Sequence, residues 1–251
     1  MSSLGYKTIG KGKNYIIFLH ELMGDCRNYE PIFNYLDQEI FTCLFVDLRG
    51  YGLSKEIHGE YNCLEASNDV KDLITSLNIT TYSLVGHSMS TLIAQKIALI
   101  DIRVKKLILI TPIPAFGIKM NHYAKEALLN QMQENSNKIE QIVEDSSKRY
   151  NNSWKNYRIK MAYSSSTLEA RVGYMKMYLN VDFQEEAQEK IDIAIKIIVG
   201  KHDFPVFAYN QVNKNFSKYK DVEIIECNEA GHYPMIETPI FFASHIEKWC
   251  L

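Results

Sequence analysis

The sequence predicts an α/β fold: a doubly wound, mostly parallel sheet with a helical cap inserted after the sixth strand. Three observations carry this expectation. Short apolar runs recur at 15–19, 42–47, 82–86, 105–111, 195–200 and 222–226, and continuous apolar runs of this length suit parallel strands covered on both faces. Helix-length segments such as 64–77 and 88–100 separate them, and that alternation implies right-handed crossovers laid over a shared sheet. The rhythm then breaks from about residue 113 to about 192, where only helical pattern rich in Tyr, Met, Lys and Glu is found. A chain of 251 residues is of ordinary size for one α/β domain with an insertion. The core is accordingly placed at 1–112 and 193–251, and the cap at 113–192.

Taken in order, YIIFL at 15–19 and TCLFVD at 42–47 read as buried strands, each followed by a polar loop. The stretch YSLVGHSMSTLIAQ, 82–95, runs apolar, pivots at Gly86, and resumes at a spacing of three to four. It therefore reads as a strand turning sharply into a helix. KKLILIT at 105–111, IKIIVG at 195–200 and VEIIE at 222–226 complete the strands. Within the insertion, the segments 123–143 and 166–179 place Leu128, Met132, Ile139, Val143, Leu168, Val172, Met175 and Leu179 at helical spacings. In such sheets ligands sit at the carboxyl ends of the strands, and the position of the insertion in the chain predicts that it covers those ends.

Composition excludes several classes of partner. The formal charge is −2 with both signs mixed along the chain, so no field favours nucleic acid or an anionic membrane. Cys26, Cys43, Cys63, Cys227 and Cys250 are scattered, odd in number and without ligand-pair spacing, which predicts reduced thiols and a cytoplasmic location. The N-terminal MSSLGYKTIGKGKN lacks the apolar core of a secretion signal, and no run approaches the length of a membrane span. The histidines show no metal-ligand spacing. No cofactor and no metal are required, and the partners implied are a small-molecule substrate and water.

The strand-to-helix corner places a hydroxyl, Ser88, at a helix start, where backbone N–H groups are unclaimed. GHSMS at 86–90 nearly matches the G-x-S-x-G nucleophile turn, with Ser90 in the last glycine position. A serine needs a base, and the base an orienting group. Asp203 falls just beyond the strand ending at Gly200, and His232 follows the strand VEIIE within a Gly-His loop. The order Ser, Asp, His, each after a separate strand, is that of a sheet-borne triad.

Five segments together resemble those of the α/β-hydrolase family: FLHELMGD at 18–25, DLRGYGLS at 47–54, GHSMS, GKHDFPV and EAGHYPMIETP. The resemblance covers nearly the whole chain except the insertion. It implies that Ser88 attacks a carbonyl, His232 carries the proton, Asp203 fixes the imidazole, and the N–H groups of Leu22 and Met89 form the oxyanion hole. One departure stands out. Glu21 occupies the family's glycine position, where glutamate tolerates positive φ poorly and its charge would oppose an oxyanion. It is expected to turn outward or to make a structural hydrogen bond.

Other candidates read as structural. His20 is expected to bind neighbouring backbone, His87 to pack behind the corner, and Asp47 and Arg49 to form a loop-fixing ion pair. Of the insertion aromatics Tyr123, Trp154, Tyr157, Tyr163, Tyr174 and Tyr178, about a third are expected to face the site. The function expected is a serine hydrolase cleaving a small to medium, largely apolar carboxylic ester or related acyl compound through an acyl-enzyme. Carbon–carbon bond hydrolysis, thioester hydrolysis or acyl transfer on the same triad, or a ligand receptor of this fold, remain as alternatives. The insertion carries no motif that names a substrate.

Overall fold

The computed structural model describes residues 3–134, 137–147 and 149–251. Seven strands form one sheet: β1 (Tyr6–Ile9), β2 (Asn14–Leu19), β3 (Phe41–Val46), β4 (Tyr82–His87), β5 (Val104–Ile110), β6 (Ala194–Gly200) and β7 (Val222–Cys227). Their order is β1-β3-β2-β4-β5-β6-β7. β1 pairs antiparallel with β3 and every other pairing is parallel, so the sheet is doubly wound as the apolar runs predict. β3 and β4 are buried at every position, because a parallel strand covered on both faces presents neither side to water.

Alternation along each strand divides the core. Ile17, Leu19, Leu44 and Leu84 face one cluster, shared with helices α1 (Cys63–Ser76) and α2 (Ser90–Ile100). Ile16, Phe18, Phe45 and Val85 face the other, shared with α10 (Pro239–Cys250) and the 3-10 segment Cys26–Tyr35. Asn62 caps α1 by accepting the Glu65 N–H at 2.9 Å, while the Glu65 carboxylate accepts the Tyr61 N–H at 2.9 Å, a reciprocal cap that fixes where the helix begins.

Between β5 and β6 lie α3 (His122–Glu134), α4 (Asn137–Ser147), α5 (Asn152–Ser165), α6 (Leu168–Asn180) and α7 (Gln184–Lys190). This helical insertion follows the fifth strand of the chain, not the sixth. Among the described residues only β1, four residues that end at the turn of Gly10, precedes β2, so five strands come before the insertion. The segment expected at 123–143 is two helices, with 135–136 outside the described residues. Leu168, expected on an apolar face, is 46% exposed. Completing the fold are α8 (Tyr209–Phe216) and α9 (Pro234–Glu237).

The chain leaves β2 towards β3 on one side and later returns to place β4 on the other. At that switch point the loops after β2 and β4 meet, and an open crevice forms there in sheets of this kind.

Candidate active site

Ser88 occupies the corner between β4 and α2 with φ +52°. A β-carbon added at Gly86 would lie 2.9 Å from the Ser90 carbonyl oxygen and 3.0 Å from Ala94 Cβ. Only glycine lets the strand and helix approach so closely there. Ser90, in the position usually held by a second glycine, fits because its hydroxyl bridges the corner. It accepts the His87 N–H at 2.9 Å and donates to the Leu19 carbonyl at 3.0 Å, tying β4 to the end of β2.

Asp203 follows β6 and His232 follows β7, and the two meet. His232 Nδ1 lies 3.0 Å from Asp203 Oδ1 and 2.8 Å from Oδ2, with both side chains buried. Their loops are pressed together: a β-carbon on Gly200 would overlap the Gly231 carbonyl oxygen, and the His202 N–H donates to the Ala230 carbonyl at 3.0 Å. Burial lowers the pKa of His232, but the Asp203 carboxylate, by its charge and its hydrogen bond, outweighs that with help from Glu21 and Glu237 and holds it above the ordinary value. His87 is held well below, by burial first and then by the neighbouring His232. Its Nε2–H donates to the His232 carbonyl at 2.7 Å, so it packs behind the corner as expected.

Ser88 and His232 line one cavity of about 300 Å³. Its walls are mostly apolar, including Ile113, Leu128, Ile142, Met175, Val206 and Phe207. Ser88 Oγ makes no hydrogen bond among the described residues. Leu22 and Met89 also border the cavity, and no backbone acceptor among the described residues takes the N–H of either. Of the six insertion aromatics only Tyr178 reaches this lining; Tyr123 is 86% exposed and Tyr174 fully buried. The expectation that a third would face the site fails because the helices turn most of their aromatic rings either to solvent or into the core.

Glu21 does not turn outward. It is buried, and its carboxylate accepts from the Met23 N–H, from Asn28 Nδ2 at 3.0 Å and from Arg158 Nη2 at 3.2 Å. His20 bonds backbone as expected, with Nδ1 donating to the Glu21 carbonyl at 2.8 Å and Nε2 accepting the Leu48 N–H at 3.1 Å. Asp47 and Arg49 do not pair with each other. Asp47 accepts the N–H groups of Cys26 and Leu53 at 2.7 and 2.8 Å, while Arg49 forks onto Asp69 and reaches Glu65. Asp47 points into the turn it stabilises, and Arg49 points out towards α1.

The sequence assigned no role to three contributors, although two lie in quoted segments, Tyr51 in DLRGYGLS and Glu237 in EAGHYPMIETP. Glu237 accepts the N–H of both neighbours of His232, Gly231 at 2.8 Å and Tyr233 at 2.9 Å. The Tyr51 hydroxyl donates to the Leu22 carbonyl at 2.9 Å, and Arg158 arrives from α5. Glu237 could have been found from its i+4 spacing to Tyr233, but Tyr51 and Arg158 meet the site only through the tertiary fold. The cysteines are buried and free, and burial lifts the Cys63 thiol to about 12 and that of Cys250 to about 11, so neither offers a thiolate nucleophile. Among the described residues, Asp25, Cys26 and Asp47 cluster closely enough to hold a cation, but Asp25 is bound to Arg27 and Asp47 to backbone. No helix among the described residues is long and apolar enough to cross a membrane.

A seven-stranded sheet of this order, with a serine in left-handed backbone at one strand end and an Asp–His pair at two others, defines an α/β-hydrolase. Residues 10–239 match the family model described as serine aminopeptidase, S33, and the chain belongs to that family. A candidate esterase/lipase of Haemophilus influenzae is 35% identical over 134 residues, 51% of this chain and 46% of its own length. A 2-succinyl-6-hydroxy-2,4-cyclohexadiene-1-carboxylate synthase of Citrobacter koseri is 34% identical over 91 residues, 35% of this chain and 33% of its own. The matched stretch thus spans less than half of either relative. Among solved structures, an esterase from Exiguobacterium antarcticum superposes with a TM-score of 0.86 at 21% identity, covering 98% of this chain and 95% of its own. The enol-lactonase of Burkholderia xenovorans gives 0.82 at 18%, covering 98% and 95%. At these identities the likeness establishes the fold.

Proposed function

We propose that this chain hydrolyses small to medium, largely apolar carboxylic esters through an acyl-enzyme on Ser88, His232 and Asp203. The observation that carries the reading is the pairing of His232 Nδ1 with Asp203 beside a cavity whose wall also holds Ser88. With Nδ1 committed to the carboxylate, Nε2 is the nitrogen left to act as base.

The steps follow from that geometry. Ser88 Oγ bonds to the acyl carbon as His232 Nε2 takes its proton; the carbonyl π electrons move onto oxygen, where the N–H groups of Leu22 and Met89 receive the charge. Collapse expels the alcohol, which takes the proton from the imidazolium. Water then attacks the acyl-enzyme, giving up a proton to the same nitrogen, and Ser88 departs with it. The Ser88–His232 hydrogen bond belongs to the substrate complex, since such contacts are often loose before substrate arrives. The helical insertion supplies Leu128, Ile142, Met175 and Tyr178 to the cavity and so acts as the cap that selects the acyl group. A cavity of about 300 Å³ sits at the small end of ligand pockets and favours short acyl chains. The esterase assignments of similar proteins support the same reading.

The test is a panel of p-nitrophenyl esters from acetate to palmitate, with an acyl thioester and a vinylogous diketone alongside and Ser88→Ala as the blank. Short esters should turn over and the variant should not. Equal rates in the variant, or turnover confined to the thioester or the diketone, would overturn ester hydrolysis by Ser88.

A further inference from the structure

Arg158 is fully buried, yet it belongs to α5 of the insertion. Its Nη2 lies 3.2 Å from Glu21 Oε1 and 3.4 Å from the Met23 carbonyl, and its Nη1 lies 2.7 Å from Asn28 Oδ1. The guanidinium carbon sits 3.9 Å from the ring centroid of Tyr233, the residue after the base. Glu21 and Met23 flank Leu22. The loop that presents one oxyanion donor is therefore clamped on both sides of that donor by a side chain from another part of the chain.

The clamp answers a problem set by the sequence. A carboxylate beside an oxyanion hole repels the charge that develops there, and in a water-poor site the repulsion is strong. Breaking a buried pair by deleting one partner leaves the other charge uncompensated. We propose that Arg158 is a positioning residue for acyl transfer: it neutralises Glu21 and holds residues 21–23 so that the Leu22 N–H faces the oxyanion. The proposal rests on the triad and hole described above.

Charge as well as shape is at stake, so pH separates this role from simple bracing. His232 is faced by Asp203, Glu21, Glu237 and His87. Glu21 is faced by Arg158 and Asn28, and by the phenols of Tyr29, Tyr51 and Tyr233. An unbalanced Glu21 favours the imidazolium, and a removed Glu21 disfavours it.

Wild type, Arg158→Met, Arg158→Lys, Glu21→Gln and the Glu21→Gln/Arg158→Met double variant would be compared by p-nitrophenyl butyrate kinetics and by the rate of Ser88 phosphonylation with a fluorophosphonate, over acid to neutral pH. Urea titration would report the folded fraction. Arg158→Met should lower kcat per folded molecule by at least about tenfold, less than the roughly 10²–10³-fold of deleting one oxyanion donor outright because the Leu22 N–H is displaced and not removed, with KM little changed and the acid limb of the profile moved to higher pH. Glu21→Gln should move that limb to lower pH. The double variant should bring it back towards wild type and recover part of the lost kcat, while Arg158→Lys, which keeps the charge without the fork, should restore the limb more fully than kcat.

Wild-type kcat and an unmoved limb in folded Arg158→Met would overturn the positioning role. If that variant does not fold, Glu21→Gln decides, and an unmoved limb there overturns it equally. Wild-type protein left unlabelled at Ser88 would instead bring down the hydrolase reading, and this inference with it.

Discussion

Ser88 sits at φ +52°, where a β-carbon costs about 1–2 kcal/mol relative to glycine. Its hydroxyl satisfies no partner among the described residues, so its removal forfeits no hydrogen bond. Ser88→Gly should therefore raise stability by about 1 kcal/mol, after allowing for the freer unfolded chain, while abolishing ester turnover; urea midpoints and the ester assay check both. A lowered midpoint would show that the corner is unstrained. His232 gives a second prediction. Its pKa stands above the ordinary value of 6.5 because Asp203 outweighs burial, and catalysis needs the neutral ring. Activity should fall with an acid-limb midpoint above 6.5, and Asp203→Asn should lower kcat by on the order of 10⁴. Stability runs the other way for this group: its contribution is complete below the unfolded value and is lost as pH rises through the folded one. His87 has the opposite sign. Its lowered pKa gives stability present above 6.5 and lost as pH falls from there towards the folded value.

Asp47 shows what an element boundary requires. At the end of β3 it accepts two backbone N–H groups, from Cys26 and Leu53, and its own carbonyl accepts the Ser54 hydroxyl. Asp47→Ala would leave two buried donors unsatisfied, at about 1–3 kcal/mol each, and Asp47→Asn, which keeps one acceptor oxygen, should cost less. Urea midpoints in that order check it, and equal midpoints would show water filling the turn. The segment DLRGYGLS was legible as a turn, but the partners of Asp47 and Arg49 were not. Side-chain direction depends on how β3 and α1 pack, and neither direction nor packing is local to those eight residues. The same limit explains the insertion aromatics, whose helical spacing says nothing about which side of the helix meets the cavity.

Across the whole molecule, one sheet separates two apolar clusters, and adjacent residues of β2 serve opposite ones: Ile16 in one, Ile17 in the other. Both are fully buried. Ile16→Ala and Ile17→Ala should each cost about 2–5 kcal/mol and each should unfold in a single transition, because both clusters share the sheet as a wall. A second transition in either variant would show that one layer melts alone. The apolar runs determined the strands and their double covering, since a parallel strand must be apolar on both faces. The motifs determined at which strand ends Ser88, Asp203 and His232 would stand, since each follows a strand and the sheet lines those ends up. What the tertiary structure alone decided is everything carried by side chains reaching across the chain: Arg158 meeting Glu21, Tyr51 reaching the Leu22 carbonyl, and Ser90 bridging two strands. Those contacts join residues remote in sequence through the directions of single side chains, and no periodicity or spacing along the chain encodes such a direction.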